Sequence, residues 1–309
     1  MIQLKNLLYL KDLRKDEINQ LLDLSDHYLN SKSSHEFENL LKNQSIASLF
    51  FEPSTRTSAS FQVAAKRLGA ETIIIDEKKS SATKGETVLD TIRNLEAMGV
   101  RAFIIRTGDK DLFRPLINDV SPDTHIISAG ESSISHPTQG LLDLLTIRQA
   151  KGAFEDLKVI IMGDISHSRV ARSLVEGLDI MNTRNITLIS PEEFKPEMSF
   201  FPSASYEEDP NKGLSDADVI VTLRVQKERI ESSESNLSLE QYSDEYQLSE
   251  DKLELCKPDA IVMHPGPINR GIEISDRVAD GKQSVICLLY TSDAADEGLG
   301  VDLGGRRII

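Results

Sequence analysis

Short apolar runs alternate with stretches of helical apolar spacing along almost the whole chain, and that alternation leaves few folds open. After an amphipathic stretch at residues 15–28, strand-like runs stand at 46–51, 72–75, 102–105 and 125–128. The segments between them, 57–68, 86–98 and 111–120, each read as a helix with one apolar stripe. A long helical stretch at 138–150 follows. The pattern then restarts with runs at 159–162, 186–189, 219–223 and 260–263 and a helix over 169–181. Strands separated by helices must run parallel, with both faces of the sheet covered. The sequence therefore predicts an α/β protein of two doubly wound domains with parallel sheets, joined by interdomain helices. The boundaries fall at 1–150 and 151–286, broken near Lys151-Gly152. In such folds ligands sit beyond the carboxyl ends of the strands, so the polar segments after each strand are where chemistry is expected.

Composition narrows the partners. A formal charge of −15 makes the surface repel nucleic acid phosphates and anionic membranes, so neither is expected as a partner. No apolar run approaches the roughly 18 residues of a membrane span, and the N-terminus lacks the organisation of a secretory signal. The 2 cysteines, Cys256 and Cys287, make neither a disulfide framework nor a metal-ligand spacing, which points to the cytoplasm and to no metal. The acid-rich stretch 206–254 reads as a solvated surface loop with helical pieces; a mobile loop closing over a ligand is the alternative.

Against this acidic background, any cluster of cations must be a local pocket. Phe51-Glu52-Pro53-Ser54-Thr55-Arg56-Thr57-Ser58 follows a strand and opens a helix. Its hydroxyls, backbone N–H groups and arginine suit an anion, although an ordinary N-cap uses the same residue types. An arginine in a first helical turn opposes the macrodipole unless an anion compensates it. Arg106 ends a strand, and His136-Pro137-Thr138-Gln139 opens the long helix. In the second half Gly163-Asp164-Ile165-Ser166-His167-Ser168-Arg169 and Arg224-Val225-Gln226 follow strands, as does Met263-His264-Pro265-Gly266-Pro267, where the Gly266–Pro267 bond is a candidate for cis. Neither G-x-G-x-x-G nor G-x-x-x-x-G-K-[ST] occurs, which removes the main support for a nucleotide site. No Ser–His–Asp or Cys–His arrangement suggests an enzyme nucleophile.

Ser54-Thr55-Arg56-Thr57 resembles the carbamoyl-phosphate signature of the aspartate and ornithine carbamoyltransferases, and family-like segments follow in order to about residue 286. The resemblance implies transfer of a carbamoyl group from carbamoyl phosphate to the amino group of L-aspartate, without metal or organic cofactor. It assigns carbamoyl phosphate to Ser54, Thr55, Arg56, Thr57, Ser80, Lys84, Arg106, His136, Gln139, Gly266 and Pro267. The catalytic set within these is Arg56, Thr57, Lys84, Arg106 and His136. Thr57, Arg106 and His136 would meet the carbamoyl oxygen and Gln139 the carbamoyl nitrogen. Aspartate is assigned to Lys84, Arg169, Arg224 and Gln226.

Ser80 and Lys84, in Ser80-Ser81-Ala82-Thr83-Lys84-Gly85-Glu86-Thr87, resemble a loop lent to a neighbouring subunit. This implies a homotrimer with shared active sites, to which a regulatory chain or a dihydroorotase could bind. Ornithine-specific members resemble this chain less, because they carry a cysteine in the turn at 264–267 and typically one in the segment at 136–139. The remaining alternatives are a carbamoyltransferase for ornithine or a related amine, an inactive scaffold homologue, and a two-domain anion-binding protein.

The resemblance breaks at residue 287. The family ends in an apolar helix packed across the first domain, whereas residues 287–309 carry Gly298, Gly300, Gly304 and Gly305 and read as translated adaptor sequence joined to a truncated gene. Replacing 287–309 by a family-like ending is expected to raise the melting temperature. Equal melting temperatures for the two chains would remove the basis for this expectation.

Overall fold

The computed structural model describes residues 4–30, 37–76, 86–225 and 237–286. Four strands form the first sheet: β1 (Ser45–Phe50), β2 (Glu71–Asp76), β3 (Ala102–Thr107) and β4 (His125–Glu131), in the order β2-β1-β3-β4. Helices α1 (Lys15–Asn30), α2 (Thr55–Arg67), α3 (Val88–Ala97) and α4 (Phe113–Asp119) precede or connect them. Helix α5 (Pro137–Lys151) leads to a second sheet of β5 (Lys158–Met162), β6 (Asn185–Ile189), β7 (Ser205–Glu207), β8 (Val219–Thr222) and β9 (Ile261–Met263), in the order β7-β6-β5-β8-β9. Every pairing between these strands is parallel. The doubly wound α/β architecture expected from the alternation is thus what the chain adopts.

Both orders reverse once, between β1 and β3 in the first sheet and between β5 and β8 in the second. Adjacent connections leave in opposite directions at these points and open a crevice at the strands' carboxyl ends. The central strands of the second sheet, β5 and β8, are mostly apolar because both of their faces are buried. Val159 and Ile161 of β5 join one core and Ile160 and Met162 the other; β8 divides the same way, with Val219 and Val221 opposite Ile220.

The core on the first of these faces also takes in Leu10, Leu13, Ile18 and Leu22 from the N-terminal segment and Leu144, Leu145 and Ile147 from α5. The opening helix therefore packs with α5 rather than on the first sheet, and Arg148 of α5 binds Asp23 of α1 at 2.7 Å. Between α1, α2 and α5 lies an apolar groove of about 470 Å³, lined in part by Leu24, Phe37, Leu40, Phe61 and Leu142. Among the described residues, no helix is long and apolar enough to cross a membrane.

The acid-rich stretch carries the expected helical pieces, but it is not only a solvated surface loop. Besides β8 it contains the edge strand β7, helix α7 (Pro210–Leu214) and helix α8 (Leu239–Tyr246). Ser238 caps α8 reciprocally with Gln241, and Tyr242, Tyr246 and Leu248 are buried in the second domain's outer core. Acidic residues lie on the helix's outer face, so mean composition concealed the buried aromatic positions. The alternative of a closing loop over 206–254 falls in part on residues 226–236, which lie outside the described residues.

Tyr242 stacks on Tyr246 at 5.6 Å between centroids, and its hydroxyl is buried with no hydrogen-bond partner among the described residues. A buried unpaired hydroxyl is a liability. Tyr242→Phe is expected to leave unfolding free energy unchanged or raise it by about 1 kcal/mol. Tyr242→Ala should lower it by about 3–5 kcal/mol in urea denaturation.

Candidate active site

The two switch points face one another across a cleft of about 760 Å³, within the usual range for a small-molecule site. On the first domain's side, β1 runs out at Phe50 and α2 starts at Thr55. Ser54 takes the N-cap position, but its hydroxyl does not cap the helix and donates instead to Thr57 Oγ1 at 2.9 Å. No acidic residue stands in the first turn. The helix start therefore keeps its positive end for a ligand, with the exposed Arg56 beside it.

Arg106 lies inside β3, opposite Phe50 of β1, one position before the strand's end. The register between β3 and β4 shifts just there, with Ile105 opposite Ser128 but Thr107 opposite Glu131. This bulge contains Gly130 at φ +122°, where an added Cβ would stand 3.3 Å from Arg106 Nη1 and 3.4 Å from Arg169 Nη1. The bulge turns the Ala129 carbonyl to accept from Arg106 Nη1 at 3.2 Å. Arg106 is buried, and its Nε has no partner among the described residues. Burial and then the nearby Arg169 push its pKa down to about 10, against the pull of Glu52, so it stays charged at neutral pH.

His136 occupies the N-cap position of α5, ahead of Pro137. Its backbone N–H donates to Ser173 Oγ at 2.8 Å, a residue of α6 (Arg169–Ile180) in the second domain. Burial, then Arg106 and Arg169, push its imidazole down to about 3, so it is neutral and can offer one ring N–H as a donor. Gln139, one turn on, lines the cleft and donates through Nε2 to Asp143 Oδ1 at 2.9 Å.

On the second domain's side, β5 ends at Met162 and Gly163 turns the chain at φ +131°; a Cβ there would stand 2.8 Å from the Leu223 carbonyl oxygen. Asp164 is buried and pairs with His167 Nδ1 at 2.7 Å. Ser168 caps α6, accepting from Ala171 N–H at 3.1 Å. Arg169, the first residue of α6, reaches across the cleft. Its Nη1 donates to Glu52 Oε2 and to the Ser132 carbonyl, both at 2.8 Å.

The same Glu52 oxygen lies 3.2 Å from Arg106 Nη2, so one carboxylate joins cations of both domains. Arg224, exposed beyond β8, lines the cleft from the same side as Arg169.

The turn after β9 is held from behind. His264 Nδ1 accepts from Gly266 N–H at 2.8 Å, which leaves Nε2 to donate to Glu273 Oε1 at 3.0 Å. Glu273 Oε1 also accepts from Asn269 N–H at 2.6 Å, and Asn269 Nδ2 donates to the Val225 carbonyl at 2.9 Å. The Gly266–Pro267 bond is cis.

Of the residues singled out in the sequence, Ser54, Arg56, Thr57, Arg106, His136, Gln139, Arg169, Arg224, Gly266 and Pro267 line this one cleft. Thr55 opens α2 with its side chain exposed and does not line it. Ser80, Lys84 and Gln226 lie outside the described residues. Sequence reasoning passed over Glu52, Glu273 and Asp143. Glu52 carried a signal, an acid one proline away from the Ser-Thr-Arg-Thr run; Glu273 carried none, because its partner His264 is met only in the fold.

Two parallel-sheet domains that converge cations, hydroxyls and a neutral histidine on one cleft define a protein that brings small anionic substrates together. Comparison with known proteins is specific. Residues 5–149 match the family model for the aspartate/ornithine carbamoyltransferase carbamoyl-P binding domain, and residues 155–288 match the model for its Asp/Orn binding domain. The chain belongs to the aspartate/ornithine carbamoyltransferase family.

It is 43% identical over 285 residues to the aspartate carbamoyltransferase catalytic subunit of Stenotrophomonas maltophilia, covering 91% of this chain and 90% of that protein. Its identity to the same subunit of Xanthomonas euvesicatoria is 43% over 286 residues, covering 92% and 90%. Among solved structures it resembles ornithine carbamoyltransferase from Pyrococcus furiosus (TM-score 0.84, 27% identity, 94% of each chain). It also resembles aspartate transcarbamoylase from Trypanosoma cruzi in complex with carbamoyl phosphate and aspartate (TM-score 0.82, 26% identity, 94% of each chain).

The depressed pKa of His136 is open to direct measurement. In an NMR titration of the free protein, its ring signals should stay flat between about pH 5 and pH 8. An inflection near the ordinary value of 6.5 would overturn the account of this cleft's electrostatics.

Proposed function

We propose that the chain transfers the carbamoyl group of carbamoyl phosphate to the α-amino group of L-aspartate, giving N-carbamoyl-L-aspartate and phosphate, an early step of pyrimidine synthesis. The observation that carries the reading is the convergence of Arg106 and Arg169, from opposite domains, on one carboxylate in a shared cleft. Both substrates are anions, and each domain supplies cations for one of them.

Carbamoyl phosphate binds at the start of α2. Its phosphate takes the backbone N–H groups at the helix start, those of Thr55 and its neighbours, the hydroxyls of Ser54 and Thr57, and the guanidinium of Arg56. Ser80 and Lys84 of a neighbouring subunit complete this site, and Lys84 also reaches the aspartate, which makes the working unit a homotrimer. The carbamoyl oxygen faces Thr57, Arg106 and the neutral His136, donors in place before charge develops there. Gln139 and the carbonyls at Gly266 and Pro267 take the carbamoyl NH2.

Aspartate docks on Arg169, Arg224 and Gln226. Guanidinium groups suit an anionic side chain, whereas the ammonium of ornithine would meet like charge here.

The neutral amine then attacks the carbonyl carbon and forms the C–N bond. The resulting oxyanion collapses, the bond from carbon to the phosphate oxygen breaks, and phosphate leaves with that electron pair. The proton lost by the amine goes to the departing phosphate, so no enzyme nucleophile takes part. Holding two like-charged reactants in contact is the main contribution, catalysis by proximity and orientation. The cytoplasm is the setting, and a regulatory chain or dihydroorotase could join the trimer.

Purified full-length protein supplied with carbamoyl phosphate should form carbamoyl aspartate and give no product with ornithine. Product with ornithine alone would overturn the choice of acceptor. Glu52→Gln should raise the KM for aspartate about tenfold or more, since it removes the carboxylate that holds Arg169 and Arg106 in place on the two walls of the cleft. The KM for carbamoyl phosphate should move less.

A further inference from the structure

Asp143 is a buried carboxylate to which the reaction above gives no part. It stands one helical turn beyond Gln139 on α5, between Leu142 and Leu144. Its Oδ1 accepts from Gln139 Nε2 at 2.9 Å, and its Oδ2 is buried with no hydrogen-bond partner among the described residues. Among the described residues no cation compensates it; burial pushes its carboxyl up to about 7, opposed by the bond from Gln139. An acid placed this way weakens the fold rather than supporting it. Packing therefore gives no reason for its presence, which leaves its single partner to supply one.

We infer that Asp143 is a positioning residue that fixes which end of the Gln139 amide is presented to the cleft, and so sets the enzyme's preference for a carbamoyl over an acetyl group. A glutamine amide has a donor end and an acceptor end, and its terminal torsion is broad and roughly two-fold. Left alone, the two ends exchange places. An oxygen of Asp143 that accepts from Nε2 commits the NH2 end to the helix and leaves Oε1 for a ligand. An acceptor at that place matches the carbamoyl NH2, a donor. It offers nothing to the methyl of acetyl phosphate, which has nearly the same shape.

This inference rests on the proposed reaction and adds a basis for choosing between donors. Protonation of Asp143 does not undo it. A proton on the unpartnered Oδ2 leaves Oδ1 a carbonyl acceptor, and in Asp143→Asn the amide oxygen can take the place of Oδ1.

The test uses the full chain and two variants, Asp143→Asn and Asp143→Leu, with carbamoyl phosphate as substrate and acetyl phosphate as competitive inhibitor. Leucine suits the apolar surroundings, so Asp143→Leu should melt no lower than the unaltered chain. It is expected to raise the KM for carbamoyl phosphate about tenfold while the inhibition constant of acetyl phosphate moves less than about twofold. Asp143→Asn should stay within about twofold of the unaltered chain in both.

A carbamoyl-to-acetyl ratio unchanged in Asp143→Leu would overturn the proposal. So would an asparagine variant as impaired as the leucine one, which would point to the charge rather than the acceptor. An unaltered chain that neither turns over nor binds carbamoyl phosphate would instead overturn the reaction itself.

Discussion

Arg106 and Arg169 are held on opposite walls of one cleft, and the carboxylate of Glu52 lies between them at 3.2 and 2.8 Å. Two buried or half-buried guanidinium groups repel each other and lose hydration, and the depressed pKa of Arg106 records both effects. Glu52 offsets the repulsion while the cleft holds no substrate. It also ties the segment after β1 of the first domain to α6 of the second, so the domains are coupled through the groups that would meet the substrates. An entering anion meets cations that Glu52 already holds in place across the domains, which makes ligand binding and domain position parts of one equilibrium.

The same crowding of positive charge sets the state of His136. With burial and two arginines disfavouring protonation, the ring remains a neutral hydrogen-bond donor under working conditions. An imidazolium would add a further cation to a pocket already rich in them, whereas a neutral ring can offer one N–H. Its backbone is fixed from the second domain through Ser173, and its helix carries Gln139 and Asp143 on successive turns. Helix α5 therefore serves at once as connection between domains, as core, and as the carrier of His136 and Gln139 on the cleft with Asp143 behind them.

Most of the architecture was readable in the sequence because parallel strands buried on both faces need continuous apolar runs, and helices between them need an apolar stripe. The runs at 159–162 and 186–189 fall within β5 and β6, differing by a residue at the first end. The edge strand β7 was missed because Ser205-Tyr206-Glu207 is short and half exposed, and the buried aromatic face of α8 was concealed by the acidic residues on its outer face. Boundaries shifted where capping decided them. Helix α3 starts at Val88 because Thr87 and Asp90 close a capping box, not where the apolar stripe first becomes visible.

By itself the sequence determined the class of fold, the two series of strands, and the identity of the segments that follow them. Local propensity and burial pattern act over a few residues, and those are written in order along the chain. Only the tertiary structure decided that residues as far apart as Glu52, Arg106 and Arg169 share one charge cluster. It alone decided that His264 and Glu273 hold the proline turn from behind, and that Asp143 faces Gln139 rather than solvent. Such pairings depend on strand order, on a bulge at Gly130 and on the crossing of α5 with α6. These are properties of the assembled sheets, and no single segment contains them.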